Sequence, residues 1–82
     1  MFYVYVLQCS DGSLYTGYTN NLEKRLASHK EGRASKYTRS RLPVSLVAHW
    51  DFTSKSQAMK HEIYLKSLSR EQKLNIIKLR AA

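Results

Sequence analysis

Phe2-Tyr3-Val4-Tyr5-Val6-Leu7-Gln8-Cys9-Ser10-Asp11-Gly12-Ser13-Leu14-Tyr15-Thr16-Gly17-Tyr18-Thr19 is the stretch that decides the fold. Residues 2–8 and 14–19 are rich in Val, Tyr, Leu and Thr and flank Ser10-Asp11-Gly12, the signature of a β-hairpin. Turn length decides which side chains meet. A two-residue Asp11-Gly12 loop pairs Gln8 with Tyr15 and puts Tyr5 and Tyr15 on opposite faces. A three-residue Ser10-Asp11-Gly12 loop, with Gly12 left-handed in a bulge, pairs Leu7 with Tyr15 and Tyr5 with Gly17. Both tyrosines then share a face, because side chains alternate with a period of two. The second register is favoured, since it gives Gly17 a reason: room beside a tyrosine.

Outward from the hairpin, three helix starts carry a cap residue followed three later by Glu or Gln. They are Asn20 with Glu23, Ser54 with Gln57, and Ser69 with Gln72, predicting helices near 21–31, 55–68 and 70–80. Val44, Leu46, Ala48, Trp50 and Phe52 alternate with Ser45, Val47, His49 and Asp51, a third strand with one apolar face. Residues 32–43 read as one long loop. The predicted class is α+β with order ββαβαα, a three-stranded sheet flanked by helices, in a single domain over residues 1–82.

The 82 residues carry 14 Lys+Arg against 6 Asp+Glu, a net charge of +8, which favours a polyanionic partner and nucleic acid above all. Cys9 is the only cysteine. No intramolecular disulfide can form, and an intracellular, cytoplasmic home is expected. The apolar start, Phe2 to Leu7, is too short and lacks the basic flank of a signal peptide, and nothing approaches a membrane span. Cys9, His29, His49 and His61 lack zinc-ligand spacing, and no glycine-rich phosphate loop occurs.

Five polar residues stand out as chemistry. On the first helix Leu22 and Leu26 mark the buried side, and at about 100° per residue Arg25 and His29 fall there too. An arginine beside an apolar stripe needs an anionic partner or a polar cleft; the bland account is a carboxylate partner, with the stem covering core edge. Glu62 falls inside the apolar arc of Ala58, Met59, Ile63 and Leu65. Its bland reading is a helical pair with Lys66, and its functional reading is a Mg²⁺ ligand, since that ion takes one or two carboxylates plus waters and phosphate oxygens. Tyr5 and Tyr15 can orient a water. A phenol takes its proton only where cations or a metal lower its pKa from near 10. The segment bearing Lys30, Arg33, Lys36, Arg39 and Arg41, with Tyr37 for base stacking, reads as a patch that tracks a nucleic-acid backbone.

These residues resemble the GIY-YIG nucleases. Tyr3-Val4-Tyr5 stands where that family has Gly-Ile-Tyr, and Tyr15-Thr16-Gly17 where it has Tyr-Ile-Gly. Residues 20–29, from Asn20 through Arg25 to His29, match its Arg-bearing helix, and Ala58, Glu62 and Lys66 its second conserved helix. The likeness runs from about residue 3 to residue 80 and is greatest to small stand-alone bacterial and archaeal members, long described as uncharacterised.

The resemblance implies a metal-dependent endonuclease acting on DNA, with single-stranded, nicked or branched forms as candidate substrates. In that scheme Tyr5 and Tyr15 would orient or activate water. Arg25 would hold the scissile phosphate, His29 would assist proton transfer or bind the adjacent phosphate, and Glu62 would hold one Mg²⁺ or Mn²⁺. Asn75 stands about where some members carry a late Asn. Tyr3 replaces the first Gly of the motif, and Tyr18 stands where the repair-type incision enzymes have Lys, so their particular mechanism transfers less well. No appended DNA-binding domain is expected, which leaves room for a protein partner that supplies specificity. The alternative readings are a non-catalytic nucleic-acid-binding module and a nuclease subunit that cuts only with a partner.

Overall fold

A computed structural model describes residues 1–81. The strands are β1 (Phe2–Gln8), β2 (Leu14–Thr19) and β3 (Ser45–Phe52). The helices are α1 (Leu22–Lys30), α2 (Lys36–Arg39), α3 (Lys55–Ser67) and α4 (Arg70–Ala81). The architecture is the α+β arrangement expected, with one short helix added. The antiparallel sheet has order β2-β1-β3.

The hairpin adopts the three-residue loop. Leu7 pairs with Tyr15 and Tyr5 with Gly17, and Cys9 N–H donates to Ser13 O at 2.9 Å, with Gly12 left-handed at φ +83°. Alternation along β1 then builds two cores. Val4 and Val6 pack with Ala58 and Leu65 of α3, and with Ile76 and Ile77 of α4. Tyr5, Leu7 and Cys9 face the other way, against Val44 and the Leu22 and Leu26 side chains of α1.

β3 departs from the single apolar face that its alternation predicts. Val6 pairs with Ala48 but Leu7 with Leu46, so Val47 is an extra residue, a β-bulge. The bulge sends Val44 and Leu46 to the α1 side, while Val47, Trp50 and Phe52 join the α3/α4 side. Both faces of the central strand are thereby covered.

α3 and α4 start at the expected caps. Ser54 Oγ accepts from Gln57 N, and Ser69 and Gln72 reciprocate fully, at 3.2 Å and 3.0 Å. α1 starts one residue later than the Asn20–Glu23 pattern predicts. Its cap is Asn21, whose Oδ1 accepts from Lys24 N at 3.1 Å. The buried Thr19 hydroxyl takes the Asn21 N–H at 3.1 Å and holds that residue at the helix entrance, so Asn20 is left in the turn.

The end of α1 positions the site. Gly32 is left-handed at φ +78°, its N–H donates to His29 O, and Arg33 N–H donates to Ser28 O. This is a Schellman motif, and it needs a residue without Cβ strain at Gly32. It turns the chain back under α1, where Ser35 caps the short helix α2 through Tyr37 N. Segment 32–43, read from sequence as loop, therefore carries a helix. It is also stapled to the hairpin: Ser10 N–H donates to Arg41 O at 2.9 Å, and Arg41 Nε to Asp11 Oδ2 at 3.1 Å.

Candidate active site

Tyr5, His29 and Thr38 form a buried hydrogen-bonded chain, at 2 %, 0 % and 0 % exposure. Tyr5 Oη lies 2.8 Å from His29 Nε2, and His29 Nδ1 lies 2.9 Å from Thr38 Oγ1. The Thr38 hydroxyl donates its own hydrogen to Ser35 O at 3.3 Å, so it accepts from His29 Nδ1–H. That direction leaves Nε2 as a lone pair, and the Tyr5 O–H donates to it. Strand β1, the last turn of α1 and the first turn of α2 each supply one member. Tyr15 closes the site from β2, its ring centroid 5.1 Å from that of His29 and 6.5 Å from that of Tyr5.

Burial pushes the Tyr5 phenol well above the ordinary tyrosine range; Tyr15 adds to the rise, Arg25 opposes it, and Glu62 raises it again. Both charges expected beside the phenol are therefore felt there. Burial also lowers the pKa of His29, with Arg25 acting the same way, and favours the neutral ring that the hydrogen bonds require.

Arg25 departs from the helical projection. His29 is buried as expected, but Arg25 is exposed. No carboxylate pairs with it among the described residues. It opens instead onto a polar recess of about 240 Å³ shared with Thr19, Asn20, Asn21, Lys24 and Ser28. Among the described residues the carboxylate partner of the bland account is absent, and the polar cleft is present.

Glu62 keeps only 19 % of its side chain exposed, and Lys66 Nζ lies 3.4 Å from Oε2. Among the described residues no three His, Cys, Asp or Glu side chains converge to hold an ion. A half-buried lone carboxylate suits Mg²⁺ or Mn²⁺ that draws its remaining ligands from water and phosphate, and does not suit a closed protein cage.

The basic segment divides. Lys30, Lys36 and Arg39 are exposed and form no ion pair among the described residues. Arg33 pairs with Glu31. Arg41 is committed to Asp11 and stacks 3.9 Å over the Tyr37 ring, which in turn stacks on Tyr15 at 5.9 Å. Tyr37 thus supports the site from outside as well as presenting an edge to solvent. Asn75 is exposed on α4. Thr38 is the member that the sequence reading missed; the signal was Ser35 three residues ahead of it, a cap where none was sought.

A second histidine, His61, packs against the rings of Trp50, Phe52 and Tyr64, and burial lowers its pKa also. Both histidines take up a proton more readily once the chain unfolds. Their contribution to stability is complete above the unfolded value of 6.5 and is lost as pH falls through the folded values. The melting temperature is therefore expected to hold between pH 8 and 7 and to drop between 6.5 and 5. Asp11, lowered from 3.8, acts only at more acidic pH. A flat melting temperature down to pH 5 would contradict neutral, buried histidines.

The family model of the GIY-YIG catalytic domain matches residues 1–75. UPF0213 protein SH2523 of Staphylococcus haemolyticus is 53 % identical over 78 residues, covering 95 % of each chain. UPF0213 protein BLi00048/BL00536 of Bacillus licheniformis is 58 % identical over 71 residues, 87 % of this chain and 73 % of that one. The solution NMR structure of the UPF0213 protein BH0048 from Bacillus halodurans superposes with a TM-score of 0.67 at 47 % identity, covering all of this chain and 88 % of the other.

Proposed function

The chain belongs to the GIY-YIG catalytic-domain family, a family of nucleases, and from that membership we propose that it is a metal-dependent endonuclease hydrolysing phosphodiester bonds in DNA. The observation that carries the reading is the Tyr5–His29–Thr38 chain lying beside a half-buried Glu62 and an Arg25 that no carboxylate pairs among the described residues.

The residues divide the work as follows. A water hydrogen-bonded to Tyr5 Oη passes a proton to that oxygen as the phenol hands its own proton to His29 Nε2. A relay suits a phenol whose anion is disfavoured by burial. Thr38 holds His29 in the tautomer able to accept. Tyr15 confines the water from the other side. Arg25 binds the scissile phosphate and stabilises the charge that builds on it. Glu62 holds one Mg²⁺ or Mn²⁺, which when bound supplies Lewis-acid stabilisation of the phosphate and the leaving oxygen. Lys30, Arg33, Lys36, Tyr37, Arg39, Arg41 and Lys66 flank this centre as the nucleic-acid surface. Lys30, Lys36 and Arg39 are the free backbone contacts. The setting is cytoplasmic, the whole chain acts as one domain, and a protein partner narrows the choice of single-stranded, nicked or branched DNA.

A second reading, a binding module without chemistry, draws on Lys66 lying across Glu62 and neutralising the carboxylate. One experiment separates the two: a labelled panel of duplex, single-stranded, nicked, flap and four-way DNA, plus RNA, incubated with Mg²⁺, Mn²⁺ or EDTA. The nuclease gives metal-dependent products that EDTA suppresses. The binding module gives none, and binds equally in EDTA. In both cases Lys24, Arg25, Lys30, Lys36 and Arg39 set the salt dependence. With about five phosphates neutralised, log K falls by roughly 3.5–4.5 per decade of salt.

A further inference from the structure

A second recess adjoins the Arg25 cleft. It has a volume of about 370 Å³ and is lined by Tyr3, Asn20, Asn21, Leu22 and Glu23. That volume is at the small end of ligand pockets, about 300–1,000 Å³. The two recesses share Asn20 and Asn21 as a common ridge, and their chemistry differs across it. On one side stand Lys24, Arg25 and Ser28. On the other stand an aromatic ring, a leucine and a carboxylate, with no cation.

We infer that the Tyr3 recess is a nucleobase subsite, which takes an unpaired base of the strand whose phosphate lies in the Arg25 cleft. This rests on the nucleic-acid reading above, though not on catalysis. Charge assigns the two halves of a nucleotide. A phosphate is drawn to Lys24 and Arg25 and repelled by Glu23, whereas a base is neutral and can donate its exocyclic amine to that carboxylate. Tyr3 is two residues from Tyr5 on the same face of β1, about 6–7 Å along the strand, so a base here neighbours the reacting phosphate. Its ring is half-buried, and Phe2, its neighbour on β1, faces the other core, so one face of the sheet ends at Tyr3.

The polar edges are free to read a base. Asn20 is exposed and its side chain makes no hydrogen bond among the described residues, so both its carbonyl and its amine are available. Asn21 spends its Oδ1 on the α1 cap and keeps its amine. Leu22 supplies apolar wall. A base inside a duplex presents no ring face to a tyrosine, so the subsite selects single-stranded, frayed or flapped substrate.

The test is equilibrium binding in EDTA, read by fluorescence anisotropy, of a labelled single strand and of the same strand in duplex. Tyr3→Ala is expected to weaken the single strand about tenfold and the duplex less than twofold, and Tyr3→Phe to restore the difference. A 2-aminopurine strand should lose fluorescence on binding the wild type or Tyr3→Phe, but not Tyr3→Ala. Asn20→Ala, at an exposed position that leaves the fold intact, should flatten the ranking of dA, dC and dT homopolymers. Equal losses on both substrates, or no loss on either and no change of ranking, would overturn the subsite. Failure of the wild type to bind any strand would overturn the nucleic-acid reading as well, and the wild type alone reveals it.

Discussion

Glu62→Gln is expected to lower metal-dependent cleavage by about a thousandfold or more while leaving the fold and the affinity for DNA nearly unchanged. Glutamine keeps the shape and removes the charge. A lone carboxylate has no neighbour to compensate, because no other acidic, His or Cys cluster converges on an ion among the described residues. Lewis-acid stabilisation of a phosphoryl oxygen is worth several kcal/mol, and at about 1.4 kcal/mol per tenfold that is about three decades. The structural loss is far smaller. Glu62 gives up only its pair with the exposed Lys66, an i,i+4 contact worth about 0.2–0.5 kcal/mol. Single-turnover cleavage should therefore collapse while the melting temperature moves by no more than about 4 °C. A variant that still cuts within tenfold of the wild type would remove Glu62 from the metal.

Such a prediction depends on how the residues reached their places, and some of that path was legible in the sequence. The register of the hairpin followed from Gly17: only one turn length put that glycine opposite a tyrosine, and the structure adopts it. The Ser54 and Ser69 caps followed because a short hydroxyl and a Gln three residues on act within one turn, independently of the fold. Asn20 failed by one position because the hydroxyl of Thr19, a residue of the preceding strand, holds Asn21 instead. The bulge at Val47 could not be read from β3 alone. Alternation says which residues are apolar, not where the partner strand skips one. Arg25 and His29 share a helical stripe, yet one is exposed and the other buried. A projection gives direction from the axis, while burial depends on side-chain length and on what lies opposite.

The basic segment shows the same limit more sharply. Composition makes Arg33 and Arg41 equivalent to Lys30 and Arg39. Structure pairs the first two with Glu31 and Asp11 and, among the described residues, leaves the others unpaired. Thr38 escaped notice because its role exists only after Gly32 reverses the chain and a one-turn helix brings it under His29. The residues proposed to touch substrate were chosen from type and spacing. Those that orient them were not, since orientation is a property of the folded contact.

Gly17→Ala is expected to cost both stability and activity, for a reason that can be isolated. The backbone of Gly17 does not lie in the left-handed region, so its requirement is steric. A Cβ there would overlap Cζ and Oη of Tyr5 and approach Cε2 to 2.9 Å. Tyr5 cannot swing clear as a surface side chain would, because its ring is buried and its hydroxyl is tied to His29. Overpacking of this kind costs about 1–3 kcal/mol, or roughly 4–24 °C in a domain of this size. The displaced phenol leaves Nε2 of His29, and a misplacement near 1 Å costs about a hundredfold in rate. A double-mutant cycle with Tyr5→Val separates this clash from any general intolerance at the site. Once the ring is gone, Gly17→Ala should change sign and stabilise by about 0.4–1 kcal/mol, because alanine restricts the unfolded chain at a backbone geometry it can adopt. Equal destabilisation in both backgrounds would show that Gly17 serves the strand rather than the tyrosine, and the close fit between the two motif residues would lose its claim on the chemistry.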